Sequence, residues 1–264
     1  MAPRRRPVAA LLLLGLVGLA GAGGFAALGA WQLERRAWKL DLIARVEQRV
    51  HAAPVAAPAA MAGDGTAGDG TADEYRRVRA SGHFLHDRET LVQAVTALGG
   101  GYWVVTPLRT AAGVTVLINR GFVTPDRRDP ASRAAGRVDG ETAVTGLMRR
   151  TEPGGGFLRA NDPGAGRWHS RDVAAIAAAR GLPAAAPYFI DADATANPGG
   201  WPVGGLTVID FPNHHLVYAL TWFALGLMAI GGMAVLLRSQ CSTLQTHRVK
   251  DWTVPEMESG QRHG

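Results

Sequence analysis

Two adjacent histidines, His214 and His215, open an uncharged stretch, and Tyr218 and Trp222 follow His215 at three and seven residues. On a helix His215, Tyr218 and Trp222 share one stripe. A histidine in or at the edge of a membrane is costly unless it pairs or ligates, which makes it a functional candidate by default. A neutral imidazole can serve as an axial ligand to haem iron, and aromatic rings beside it would pack a macrocycle. The competing reading is an interfacial histidine within an aromatic belt. His214 and His215 stand about 100° apart on a helix, so one face cannot present both equally.

Other candidate chemistry is weaker. His83 and His86, in H-F-L-H, would suggest copper, but residues three apart on a strand point to opposite faces. Asp191 and Asp193, in D-A-D, would share one strand face and could shift each other's pKa; a solvated strand end is the plainer expectation. Trp168 and His169, in G-R-W-H-S-R-D, suit a loop anchor. Asp64 and Asp69, in the direct repeat GDGTA-GDGTA, lack the ligand density of a calcium loop. There is no G-x-S-x-G, P-loop or H-E-x-x-H motif, and no nucleophile, base and oxyanion hole assemble, so no turnover is expected. The one cysteine, Cys241, excludes an intramolecular disulfide framework and a multi-cysteine metal site.

The elements that would position His215 are set by where charge is missing. No Asp, Glu, Lys or Arg occurs between Arg6 and Glu34, or between Asp210 and Arg238, and each window is 27 residues long. A membrane span needs about 20 predominantly apolar residues, so both windows qualify. The first also resembles a signal peptide, with Arg4, Arg5 and Arg6 before the apolar run and Ala20-Gly21-Ala22 as a cleavage site. Apolar character continues to Leu33, which favours an uncleaved anchor. Gly15, Gly18, Ala22 and Gly29 in the first span, with Ala219 and Gly226 in the second, form small faces that allow close helix approach in lipid.

Basic residues flank both outer ends: Arg4, Arg5 and Arg6 on one side, and Arg238, His247, Arg248 and Lys250 on the other. Both termini therefore read as cytoplasmic, with the segment between them on the periplasmic face of a bacterial inner membrane. The formal net charge is +6, which read alone suggests nucleic acid. Three of those charges lie before the first span, and residues 34–213 hold 21 basic against 19 acidic side chains. A nearly neutral domain excludes a nucleic-acid partner and leaves membrane lipid.

The expected layout is a membrane protein with two transmembrane α-helices flanking a β-rich, mainly antiparallel α+β periplasmic domain. Its parts are a cytoplasmic N-terminus (1–7), a first span (8–33) and an amphipathic extension helix (34–52). A flexible linker (53–74), the β-rich domain (75–210), the second span (214–237) and a cytoplasmic tail (238–264) follow. Strands are expected at 75–85, 89–96, 102–109, 114–120, 141–148, 187–193 and 205–210, with hairpin-sized gaps that favour antiparallel pairing. One helix is expected at 172–180, capped by Ser170 and ended by Gly181 and Pro183.

Six stretches together resemble one family. They are L-G-A-W-Q-L-E-R-R-A-W-K (28–39), G-Y-W-V-V-T-P-L (101–108), V-L-I-N-R-G-F-V (116–123), N-D-P-G-A-G-R-W (161–168), D-A-D-A-T-A-N-P-G-G (191–200) and N-H-H-L-V-Y-A-L-T-W-F (213–223). The chain is similar, over residues 28–237, to the surfeit locus protein 1 (Shy1) family of cytochrome c oxidase assembly factors. That resemblance implies a membrane chaperone of the respiratory chain that binds haem a and supports its insertion into oxidase subunit I. Subunit I and the haem a synthesis machinery would be its partners. The alternative is a haem-free, membrane-anchored scaffold that stabilises oxidase assembly intermediates. The family's histidine matches His215, as metal ligand to haem iron, with Tyr218 and Trp222 lining the site. The preceding position is often Asn in the family and is His214 here, so His214 is a second candidate. Asn119-Arg120-Gly121 matches a family signature: Gly121 would permit a turn, and Arg120 would pair with a propionate or a domain carboxylate.

Overall fold

The computed structural model describes residues 8–58 and 73–250, with side chains for all of these except 8, 10, 11 and 240–250. The N-terminal arginines, most of the expected linker with Asp64 and Asp69, the end of the tail and the Cys241 side chain lie outside the described parts. Contacts divide the chain into two units. One is a helix pair drawn from residues up to Asp41 and from Phe211 onward; the other is a sheet-rich domain, Leu42–Asp210.

Helix α1 (Val8–His51) carries the first apolar window and continues without a break through the expected extension, because Gln32-Leu33-Glu34-Arg35-Arg36 are good helix formers and no proline interrupts them. The domain's elements follow in chain order: β1 (Val55–Ala56), β2 (Arg77–Phe84), β3 (Thr90–Thr96), β4 (Gly99–Thr110), β5 (Thr115–Val123), β6 (Glu141–Arg150), the two-residue strands β7 (Gly155–Gly156) and β8 (Arg159–Ala160), α2 (Val173–Ala179) and β9 (Ala185–Ala192). Helix α3 (His215–Lys250) carries the second window.

Both α1 and α3 are long and apolar enough to cross a membrane. Their apolar side chains stay outside: Leu12 is 69% exposed, Leu19 68%, Leu220 61% and Leu227 70%. A soluble core helix would bury such residues, whereas a lipid-facing helix presents them. The two helices run antiparallel. From one end to the other, Gln32 meets His215, Phe25 meets Trp222, and Gly18 packs on Met233. Small residues make the close approach possible. A Cβ on Gly29 would collide with the Phe223 ring, and Gly226 sits against Phe25 and the Ala22 carbonyl. Gly15 has nothing within 4 Å, so the small-residue seam begins at Gly18.

In the domain, β2, β6, β9, β5 and β4 pair in that order, and β4 pairs back to β2 through Gly82↔Thr110, His83↔Arg109 and Phe84↔Leu108. The result is a closed five-stranded barrel, with β3 pairing the first half of β4 along the edge whose far end meets β2. A ring with an odd number of strands cannot alternate direction throughout. One neighbouring pair must be parallel, and it is β5 with β9. The sheet is therefore mixed where an antiparallel one was expected; hairpin-sized gaps speak for sequence neighbours and not for strands joined across the barrel.

Strand alternation divides the core in two. Val116 and Ile118 of β5 and Tyr188 and Ile190 of β9 point into the barrel with Val78, Leu108 and Met148. Leu117 and Phe189, between them in sequence, point outward and pack under α2 with Ile176, Val173 and Trp168. Every residue of β5 is buried, as expected for a strand covered on both faces.

Three local expectations change. The N-cap of α2 is Asp172, whose carboxylate accepts from Ala175 N at 3.1 Å; Ser170 instead donates to the Glu152 carbonyl at 2.7 Å. The C-terminus follows a Schellman pattern, with Leu182 N on Ala177 O and Gly181 N on Ala178 O. Residues 205–210 form no strand; an isolated antiparallel bridge, Phe122↔Val203, holds the segment before them. The described ends of the expected linker are also engaged: β1 pairs in parallel with β2, and Tyr188 Oη donates to the Pro58 carbonyl.

Gly121 does not make a turn. It sits inside β5 with φ +131°, where the register steps from Trp103↔Phe122 to Val105↔Asn119, one residue of β4 (Val104) against two of β5 (Arg120 and Gly121). This is a bulge. A Cβ there would strike the Val203 carbonyl, so glycine is required both by conformation and by space.

Candidate functional site

In the helix pair, His215 is the first residue of α3 and is half-buried. Its Nδ1–H donates to Oε1 of Gln32 on α1 at 2.7 Å. Nε2 has no hydrogen-bond partner among the described residues. A histidine held through one ring nitrogen by an acceptor presents the lone pair of the other, which is how metal-ligating imidazoles are oriented. Trp222, two turns along, stacks on Phe25 of α1, centroids 5.8 Å apart and planes 20° apart. Tyr218, between them on the stripe, is 56% exposed and offers an aromatic edge.

His214 stands differently. It precedes the first helical residue, is exposed, and contributes its carbonyl to the Tyr218 amide at 3.3 Å. The helical 100° argument therefore does not apply to it: only His215 is on the helix. The arrangement as a whole can present one neutral nitrogen ligand beside aromatic surface. Gln32 was not singled out from the sequence. Its signal was plain, since it is the only amide in the first uncharged window.

The domain holds a second polar centre. Asp191, expected at a solvated strand end, is 3% exposed. Its Oδ1 accepts from Asn119 Nδ2 at 2.7 Å and from Arg171 Nη1 at 2.9 Å. Its Oδ2 accepts from Arg149 Nη1 at 3.0 Å and from Thr207 Oγ1 at 3.1 Å. Four donors saturate the carboxylate, which makes it a structural hub of the domain. Arg171 also grips Glu152 with a bidentate fork, 2.5 and 3.1 Å, and lies over the Phe189 ring at 4.6 Å. Burial opposes ionisation of Glu152, but the hydrogen bond and charge of Arg171 prevail and lower its pKa. Burial likewise opposes the charge on Arg171, and Asp191 and Glu152 together raise its pKa. A cavity of about 470 Å³ opens beside this group, lined by Trp103, Arg149, Arg171 and Thr207.

Asp193 does not join Asp191. Its carboxylate accepts from the Thr195 amide and hydroxyl and faces Arg77 at 3.7 Å, so no acid pair forms. His83 is exposed at the end of β2, while His86 lies in the following 3-10 turn with Nε2 on the Val138 carbonyl at 3.1 Å. Among the described residues no group of three or more His, Cys, Asp and Glu is placed to hold a metal ion. Trp168 anchors its loop by burial in the outer core, and Gln93 N bonds its carbonyl at 2.8 Å. Arg120, expected to find a carboxylate, donates instead to the Gly136 carbonyl and to Asn197 Oδ1.

The sequence profile of the SURF1 family matches residues 19–227, a span that includes Gln32, Asn119-Arg120-Gly121, Asp191 and His215. Surfeit locus protein 1 of Homo sapiens is 39% identical over 215 residues, covering 75% of this chain and 69% of the relative. The Mus musculus protein of the same name is 39% identical over 214 residues, covering 75% and 67%. A SURF1-like protein of Monosiga brevicollis is 37% identical over 224 residues, covering 80% and 82%. With most of its length matched by the profile and by relatives of this identity, the chain belongs to the SURF1 family.

Proposed function

We propose that this protein is an assembly factor for haem–copper cytochrome c oxidase that binds haem a and hands it to oxidase subunit I. Family membership supports the oxidase role. The observation that carries the haem reading is the Gln32–His215 hydrogen bond, which orients the imidazole and keeps Nε2 available. Haem a is the cargo. His215 supplies the ligand, Tyr218 and Trp222 supply aromatic surface, and the α1–α3 pair keeps the site at a membrane edge. No residue is assigned a catalytic role.

In this reading the two helices span a bacterial inner membrane with both termini in the cytoplasm and the barrel in the periplasm. Arg4, Arg5 and Arg6 before the first span, and Arg238, Arg248 and Lys250 after the second, support that orientation. Subunit I and the haem a synthesis machinery are the proposed partners.

A scaffold that holds no haem is the second reading. The tip of the β7–β8 hairpin favours it, since Phe157 is 92% and Leu158 89% exposed, an apolar patch suited to another protein. Complementation separates the two. In a strain lacking the gene, the haem reading expects wild type and His214→Ala to restore oxidase with a full haem a complement, and His215→Ala to leave subunit I deficient in haem. Full restoration by His215→Ala together with failure of Phe157→Ser would establish the scaffold instead.

A further inference from the structure

The barrel holds a buried cation that the reading above does not use. Arg120 leaves β5 at the bulge and is 3% exposed. Its Nη2 donates to the Gly136 carbonyl and to Asn197 Oδ1, and its guanidinium lies 4.8 Å over the Phe84 ring. Nε and Nη1 donate to no acceptor among the described residues. The nearby acids are engaged elsewhere. Glu89 is held by both terminal nitrogens of Arg133, at 2.5 and 3.0 Å, and Asp193 serves Thr195 and Arg77. Burial pulls the Arg120 pKa down to about 10, with the Glu89 charge opposing and the Arg133 charge adding, as expected for a cation short of a counter-ion.

Beside this side chain lies a cavity of about 220 Å³ at one end of the barrel, lined by Phe84, Arg120, Thr142, Thr145, Asp193 and Thr195 among others. Buried charges are normally paired, so an arginine that bonds no carboxylate and lines a cavity suits an anion. The space equals roughly seven water volumes, enough for a carboxylate and a short stem. One cation faces it, and Asp193 also contributes to the wall, so a monoanion suits the site better than a phosphate dianion. The Thr142 hydroxyl, on the same face of β6 as Val144, can donate to the second oxygen.

We propose that the Arg120 cavity at the barrel end is a binding site for a carboxylate group. The anion takes a charge-assisted hydrogen bond from the free nitrogens of Arg120 and completes the charge balance that the domain leaves open. The proposal stands on the domain alone and is independent of the haem reading.

The test is isothermal titration calorimetry on the full-length protein in detergent. The probes are sodium acetate, N-acetylglycine and inorganic phosphate, each against sodium chloride at matched ionic strength. Saturable one-to-one binding of acetate is expected, weakened at least tenfold in Arg120→Gln, the scale of a hydrogen bond to a charged group. Acetate binding without N-acetylglycine binding assigns the site to a free small acid; binding of both assigns it to the carboxylate end of a longer ligand. Because Arg120→Gln could lose the fold, Thr142→Asp provides the second arm. It places a carboxylate in the cavity, and should stay folded by circular dichroism, raise the melting temperature and abolish acetate uptake. Wild-type protein that takes up acetate no better than chloride, preference for phosphate, or unchanged acetate affinity in either folded variant would overturn the proposal.

Discussion

Gln32 and His215 lie 183 positions apart in the sequence and meet at 2.7 Å between the amide oxygen and Nδ1. The contact joins the two long apolar helices at one end of their seam and fixes which imidazole nitrogen faces outward. An outer partner of this kind contributes about 10–100-fold to metal affinity at known sites. Gln32→Leu is therefore expected to weaken haem binding by about that factor in a haem titration, while the protein still purifies as a folded membrane protein. Equal affinity in Gln32→Leu and wild type would remove the orienting role.

Asp191 gathers Arg149, Arg171, Asn119 and Thr207 around one buried carboxylate. Removing its charge takes a buried partner from two partly buried guanidinium groups, leaving Arg171 with Glu152 and Arg149 with Glu74 at 3.6 Å. Asp191→Asn should destabilise the domain by about 3–5 kcal/mol, read from denaturant unfolding. Asp191→Asn with Arg171→Met should cost less than the two single changes summed, because the Asp191–Arg171 contact is then lost once and not twice. Strict additivity would show that the hub is not a coupled unit.

The bulge at Gly121 gives a sharp contrast between glycines. Gly121→Ala meets the Val203 carbonyl at a φ of +131°, and a loss of more than about 4 kcal/mol is expected. Gly100→Ala, at an exposed position with open space around it, should change stability by no more than about 0.5 kcal/mol. Comparable melting temperatures for the two variants would contradict the bulge geometry.

His86 makes stability depend on pH. Burial lowers its pKa below 6.5; the bond to the Val138 carbonyl opposes this, and the Arg120 and Arg137 charges add to it. Below 6.5 the folded chain binds fewer protons than the unfolded chain, so this contribution is complete above that value and is lost as pH falls. Between about pH 7.5 and 5.5 the melting temperature of wild type should fall more than that of His86→Gln, which keeps a donor for Val138. Parallel curves would exclude His86 as the source.

The sequence made the strands legible because β4, β5 and β9 alternate apolar side chains between two cores while β2 alternates buried with exposed positions, and alternation is a local property. The two long apolar helices were legible because charge is absent from both windows. What escaped was non-local. The parallel β5–β9 pair follows from closing a five-membered ring, which no single segment records. Asp191 resembled a strand-end carboxylate because its four donors come from β5, β6, the loop before α2 and the segment after β9. Gly121 had the signature of a turn, and its use as a bulge depends on the Val203 carbonyl arriving from another part of the chain. His215 was found from its spacing, yet the feature that sets it apart from His214 is Gln32, on the other helix.

The most direct measurement of the central claim is the absorption spectrum of detergent-purified protein titrated with haem a, for wild type, His214→Ala and His215→Ala. The expected result is a stoichiometric histidine-ligated haem spectrum in wild type and His214→Ala, and its loss in His215→Ala. Unchanged haem content and spectrum in His215→Ala would contradict the assignment of His215 as the ligand.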